Sequence, residues 1–256
     1  NQDLNLNFKK TFLDFDQDLN FLSFDNASFE AKNIQNIKHL IENLEDINGK
    51  DINGNTILHL ACAIGNIPFV KKICMIKDVL YELKNNDDQS ILFPACSSGN
   101  TNLIKFLITL PKLESNSKDK YQMTLLHHAC KNGNLELAQY LLSLGNIDIK
   151  AKDENENNIL HFASQSGNLH LLKYLIQLNK IDITDQNDKK TSVLHYGCQS
   201  GNVELVKYLI SLKKFNIKDK NSDNKTCLHF ACEKDSFPLI DYLVNLKEID
   251  LTEKDI

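Results

Sequence analysis

Thr124-Leu125-Leu126-His127-His128-Ala129-Cys130-Lys131-Asn132-Gly133-Asn134 decides the fold of this chain, because it returns. Thr56-Ile57-Leu58-His59, Ser90-Ile91-Leu92-Phe93, Asn158-Ile159-Leu160-His161, Ser192-Val193-Leu194-His195 and Thr226-Cys227-Leu228-His229 repeat its opening. The leading residues 56, 90, 124, 158, 192 and 226 are each 34 apart across six copies. A drift-free period of this size means one supersecondary unit stacked on copies of itself.

Each copy reads as two short helices and a loop. In the third, Thr124 is an N-cap whose hydroxyl accepts a hydrogen bond from the first turn. Leu126, Ala129 and Cys130 fall at i, i+3 and i+4, on one helical face. Gly133 ends that helix, since glycine adopts the left-handed conformation freely. Asn134 opens a second helix with Leu137, Tyr140 and Leu141 as its buried stripe. The polar run from Lys150 to Asn157 then predicts a protruding hairpin-like loop before the next cap. One such pair buries too little surface to stand alone, whereas stacked pairs bury their apolar faces on their neighbours. Leu58, Leu92, Leu126, Leu160, Leu194 and Leu228 are therefore expected to form a core column.

The ends differ. Residues 1–22 lack the repeat and form a non-repeat N-terminal segment. Phe8, Phe12, Phe15, Leu19, Leu22 and Phe24 recur at roughly helical spacing, which makes it a candidate capping helix. Asn33 to Ile41 echoes Asn100 to Ile108, so a degenerate repeat is expected to start the repeat domain, 23–256. Its first helix would fall in 23–32. The chain opens on Asn1 without a Met and stops at Ile256, where a further loop would begin, and it is read as a piece of a longer protein.

The pattern Thr-X-Leu-His-X-Ala-Cys/Ala-X-X-Gly-Asn, followed by segments such as Val203-Glu204-Leu205-Val206-Lys207-Tyr208-Leu209-Ile210, resembles the ankyrin repeat over about residues 33–256. The resemblance implies an all-α solenoid of stacked helix–turn–helix units with short β-hairpin-like finger loops. It also implies a protein-binding scaffold without catalysis in the repeats. There are departures. Ile57, Ile91, Leu125, Ile159, Val193 and Cys227 stand where the family usually has Pro. Phe93-Pro94 replaces His-X in the second copy, and Asp235 replaces the helix-ending Gly in the last.

Composition limits the alternatives. The net charge of −5 gives no strong attraction to nucleic acid or anionic membrane. Every cationic side chain is Lys, without the Arg that suits bidentate phosphate or guanine recognition. No apolar run approaches the length of a membrane span, and residues 1–5 do not form a signal peptide. An intracellular, cytoplasmic monomer is expected. Cys62, Cys96, Cys130, Cys198 and Cys232 share one repeat position, with Ser164 in the remaining copy. They read as small buried thiols in a reducing compartment. No metal, cofactor or catalytic site is expected. There is no Cys-X-X-Cys, phosphate-binding Gly loop, His-Glu-X-X-His or Gly-X-Ser-X-Gly. His59, His127, His161, His195 and His229 tempt toward a metal ladder. Successive repeats hold them too far apart for one site, and the family motif implies local hydrogen bonds to the cap and nearby backbone.

Function is expected where the copies differ. The residues at the position after the His are Leu60, Pro94, His128, Phe162, Tyr196 and Phe230, and the last three make an aromatic run that is either an exposed contact stripe or inter-repeat packing. The two residues before each Gly vary too: Lys131-Asn132, Gln165-Ser166 and Gln199-Ser200 in the middle copies. The family places these positions on a concave groove, rimmed by fingertips such as Glu154 and Asp188. The resulting candidate contact set is His128, Lys131, Asn132, Phe162, Gln165, Ser166, Tyr196, Gln199, Ser200, Glu154 and Asp188, facing a protein partner. The other reading makes the chain the targeting or substrate-recruiting part of a larger enzyme, a ubiquitin-ligase subunit or a kinase.

Overall fold

A computed structural model describes residues 46–246 and residue 254. The expected capping helix and degenerate first repeat lie outside the described residues. The chain divides into two compact units, 1–114 and 115–256.

The described part of the first unit holds two helix pairs, α1 (Ile57–Ile64) with α2 (Ile67–Cys74), and α3 (Leu92–Ser97) with α4 (Thr101–Leu107). The second unit holds four: α5 (Leu125–Lys131) with α6 (Leu135–Ser143), α7 (Ile159–Gln165) with α8 (Leu169–Gln177), α9 (Val193–Ser200) with α10 (Val203–Ser211), and α11 (Cys227–Glu233) with α12 (Phe237–Val244). Regular structure among the described residues is otherwise limited to isolated bridges at finger bases, Lys50 to Thr56, Lys118 to Thr124 and Gln186 to Ser192. This is the all-α repeat architecture that the period predicts. Within each unit the first helix of one repeat packs on the first helix of the next and on its own partner.

Leu58 and Leu92 are buried in the first unit, and Leu126, Leu160 and Leu194 in the second. Leu228 departs from the expectation and is only half-buried. The reason is positional: α11 is the last first helix described, and among the described residues none follows to cover it. Cys232 is exposed there for the same reason, whereas Cys62, Cys96, Cys130 and Cys198 are fully buried at the same repeat position. The reading of all these thiols as buried is corrected at Cys232, and Cys74 is only partly buried.

Each first helix is started by its His. The backbone N–H of Thr56, Thr124, Asn158, Ser192 and Thr226 donates to Nδ1 of the His three residues on, at 3.1–3.2 Å. In four of the five the cap side chain accepts the returning His N–H. This is a reciprocal cap built with imidazole in place of the usual Glu or Gln. The second repeat lacks it. With Phe93 in the His position, α3 shrinks to six residues and starts without a side-chain cap. Pro94 is tolerated because a first-turn N–H has no helical acceptor.

The Asn after the helix-ending Gly does two jobs at Asn100, Asn168 and Asn202. Asn168 Oδ1 caps α8 by accepting from Leu171 N, while its Nδ2 donates to Gly133 O of the preceding repeat at 2.8 Å. Asn202 repeats this toward Gly167, and Asn100 toward Gly65. In the last repeat the Ser236 hydroxyl reaches Gly201 O. These rungs hold successive repeats in register.

The fingers rest on a residue type that repeats silently: Asp51, Asn85, Asp119, Asp153, Asn187 and Asn221. Each side-chain oxygen accepts the N–H groups two and four residues on, as at Asp153 with Asn155 and Asn157. Each finger closes with a left-handed residue, glycine only at Gly54 and then Asp88, Gln122, Glu156, Lys190 and Asn224. One backbone bond ties neighbouring tips, for example Glu154 N to Tyr121 O at 2.9 Å.

Candidate functional site

In the second unit, Lys131, Gln165, Gln199 and Glu233 occupy one position in the last turns of α5, α7, α9 and α11. This row faces the fingers. Lys225, at a finger base, holds the Glu233 carboxylate at 2.5 Å. One turn earlier the helices meet the fingers more closely. Tyr196 donates its hydroxyl to Asn157 Oδ1 at 3.0 Å and accepts from Asn187 Nδ2 at 3.3 Å. His128 Nε2 lies 2.9 Å from Asp119 Oδ2, a carboxylate that is itself buried.

The aromatic run resolves as packing. Phe162 stands edge-on against the His127 ring at 5.5 Å and Tyr196 against His161 at 5.6 Å, while Phe230 lies tilted against His195 at 5.3 Å. Phe162 is buried and offers a partner little surface, which removes it from the contact set. Ser166 and Ser200 also serve the scaffold first. Ser166 Oγ donates to Ala163 O and accepts from Asn168 N, and Ser200 Oγ does the same with Gly197 O and Asn202 N. Their hydroxyls close the turn between helices.

Gln165 and Gln199 are placed differently. Both are half-buried, and Gln165 Nε2 donates to Gln199 Oε1 across the repeat boundary at 3.0 Å. Lys131 and Asn132 are exposed at one end of the row. Glu154 and Asp188 are exposed at fingertips, their backbone N–H groups bonded to the preceding tips. Gln165 and Gln199 thus meet across a repeat boundary, while Lys131 at the same repeat position and Glu154 and Asp188 on the fingers are exposed.

The His row is internal wiring. Because a backbone N–H donates to each Nδ1, the neutral ring carries its proton on Nε2. His59 passes it to Gln89 O and His195 to Asp219 O, both at 3.0 Å. Nε2 of His127 and His161 forms no well-aligned hydrogen bond among the described residues, although loop carbonyls of Ala151 and Asn157, or Asp185 and Thr191, are near. Burial pushes both pKa values down to about 4, with nearby Asp carboxylates offsetting part of the effect. His59 and His195 are lowered by burial as well. Among the described residues, no three His, Cys, Asp or Glu side chains converge as a metal site requires. No described helix is long and apolar enough to cross a membrane.

The sequence model of the family described as ankyrin repeats (3 copies) matches residues 26–119, 70–153, 95–187 and 160–255. The chain belongs to the ankyrin-repeat family. No curated protein matches the sequence. Ankyrin repeats are generally protein–protein interaction modules and typically non-catalytic. In this ankyrin-repeat chain the polar groups inside the stack are largely committed to the scaffold. The Asp/Asn finger residues and the Gly-Asn rungs escaped the sequence reading. Both follow the same 34-residue register as the apolar positions.

Proposed function

We propose that this chain binds a partner protein through the groove of its second unit, with Lys131, Gln165 and Gln199 on the floor and Glu154 and Asp188 on the rim. The observation that carries this reading is the Gln165–Gln199 pair. Most buried polar side chains of the stack serve caps, rungs and fingers, whereas the half-buried Gln165–Gln199 pair is joined by one hydrogen bond that leaves Gln165 Oε1 and the Gln199 amino group for a partner. Half-buried amides held in a defined geometry offer a partner an acceptor and a donor. A standard interface of roughly 1,200–2,000 Å² requires a surface longer than a single repeat offers.

Replacing Gln165 and Gln199 together by Lys tests the reading. Partner capture from the native cell extract is expected to be lost while the helical circular-dichroism signal and Tm stay unchanged. Undiminished capture of the same protein would remove this floor from the site.

A further inference from the structure

The loops that leave the second helices are tied to one another at several repeat boundaries. In the first unit Asn48 Nδ2 donates to Asp78 O and its Oδ1 accepts from Leu80 N, both at 2.9 Å. Lys112 reaches the Glu82 carboxylate at 2.6 Å. In the second unit Asn146 donates to Ser115 Oγ at 3.2 Å. Ile183 and Lys214 stand two periods on from Ser115 and Asn146, and Thr184 stands three periods on from Glu82. There the tie is not repeated. Ile183 has no hydrogen-bonding side chain, and Thr184 turns its hydroxyl back to Asp182 Oδ1 at 2.8 Å. The gap between the loop that follows α8 and Lys214 stays open as a cavity of about 530 Å³.

Its lining suits one kind of ligand. Ile176, Ile181 and Ile183 are half-buried and give it apolar surface. Lys180 and Lys214 add two exposed ammonium groups. Asp182 brings one carboxylate, which already accepts the Thr184 N–H at 2.9 Å and the Thr184 hydroxyl. Those bonds, with Lys214 nearby, hold the Asp182 carboxyl below its usual range. Two ammonium groups against one carboxylate leave a single positive charge. A ligand with one negative charge matches it, whereas a second would meet Asp182 or the isoleucines without an opposite partner. An apolar body adds what charge alone cannot, because it takes the isoleucine faces out of water. The volume lies within the roughly 300–1,000 Å³ of small-molecule sites.

We propose that this cavity binds a small monoanion with an apolar body, of the kind a medium-chain fatty acid presents. Its carboxylate pairs with Lys180 and Lys214, and its chain lies on Ile176, Ile181 and Ile183. The site shares no residue with the partner-binding set above, so either reading can fail without the other.

The test is titration of the full chain with sodium octanoate, read by backbone amide shifts in heteronuclear NMR. The shifts are expected to saturate and to centre on residues 179–184 and 214. 1-Octanol lacks the charge and acetate lacks the chain. Each should bind about tenfold more weakly, since either half alone is a small contribution in water. Octanedioate, whose second carboxylate would lie against the isoleucines, should bind no better than acetate. Lys180→Gln/Lys214→Gln should weaken octanoate about tenfold, the worth of two exposed ion pairs. Ile183→Ser/Lys214→Asn restores the residues of the Ser115–Asn146 link and should abolish binding. Both variants are first checked for unchanged Tm, and the ligand series on the parent chain decides the matter if either fails to fold. No saturable shift with octanoate, shifts spread over the whole chain, or equal binding of octanol, acetate or octanedioate would overturn the proposal. So would undiminished octanoate binding by the resealed variant.

Discussion

At the scale of single residues, strain and proton affinity carry the information. Asp235 stands where the preceding first helix ends in Gly201, and it adopts the same left-handed backbone at φ 54°. Residues with a side chain adopt that region at a cost of about 1 kcal/mol or more, less for Asp than for most. Asp235→Gly is therefore expected to raise unfolding free energy by about 1 kcal/mol in urea melts. An unchanged midpoint would show that a contact of the Asp235 carboxylate compensates. His127 and His161 make the fold acid-sensitive. Their folded pKa values of about 4 lie below the ordinary 6.5, so the unfolded chain takes up protons first as pH falls. The stability is complete above pH 6.5 and drains away between there and pH 4, by roughly 3 kcal/mol per ring at the limit. Denaturant melts across that window should show the loss, and stability independent of pH there would contradict the buried neutral rings.

At the scale of elements, the stack depends on residues that serve two repeats together. Asn168 caps α8 and also reaches Gly133 O. Its replacement by Ala removes a helix cap and an inter-repeat hydrogen bond, for an expected loss of about 2 kcal/mol. The measurement is the midpoint of urea unfolding for Asn168→Ala. A loss no larger than a few tenths of a kcal/mol would mean that water replaces both bonds. The short α3 shows the converse. Phe93 packs well but cannot accept the cap N–H, and the helix starts a residue later than its counterparts. Packing preserved the repeat there while the lost hydrogen bonds shortened its helix.

At the scale of the molecule, position in the stack decides exposure. The same thiol position is buried in four repeats and exposed at Cys232. Burial pushes the Cys96 thiol up to about 12 and Cys62 well above its usual range, and a hydrogen bond with Cys227 together with burial does the same for Cys198, which keeps them protonated and unreactive. Native-state labelling with a maleimide, read by peptide mass mapping, should therefore modify Cys232 first and Cys74 more slowly. Cys62, Cys96, Cys130, Cys198 and Cys227 should be protected until the chain unfolds. Early labelling of Cys130 or Cys198 would show that the stack opens between those repeats. The open face of α11 and α12, with Phe237 78% exposed, is also expected to lose amide protection before α7 to α10.

The sequence by itself determined the family, the period, the helix pairs, the caps and the core Leu positions, because each is a local pattern repeated at one spacing. Variation against a constant scaffold also marked Lys131, Gln165 and Gln199 as positions outside the core, and none of them is buried. Only the tertiary structure separated these from Phe162, Ser166 and Ser200, which vary just as freely. The physical reason is that their partners, the His127 ring for Phe162 and the Asn at the next helix start for the serines, are set by stacking and turn geometry that spacing does not encode. Tertiary structure likewise decided that Leu228 and Cys232 are not core, because burial in a stack requires a neighbour and no residue type supplies one.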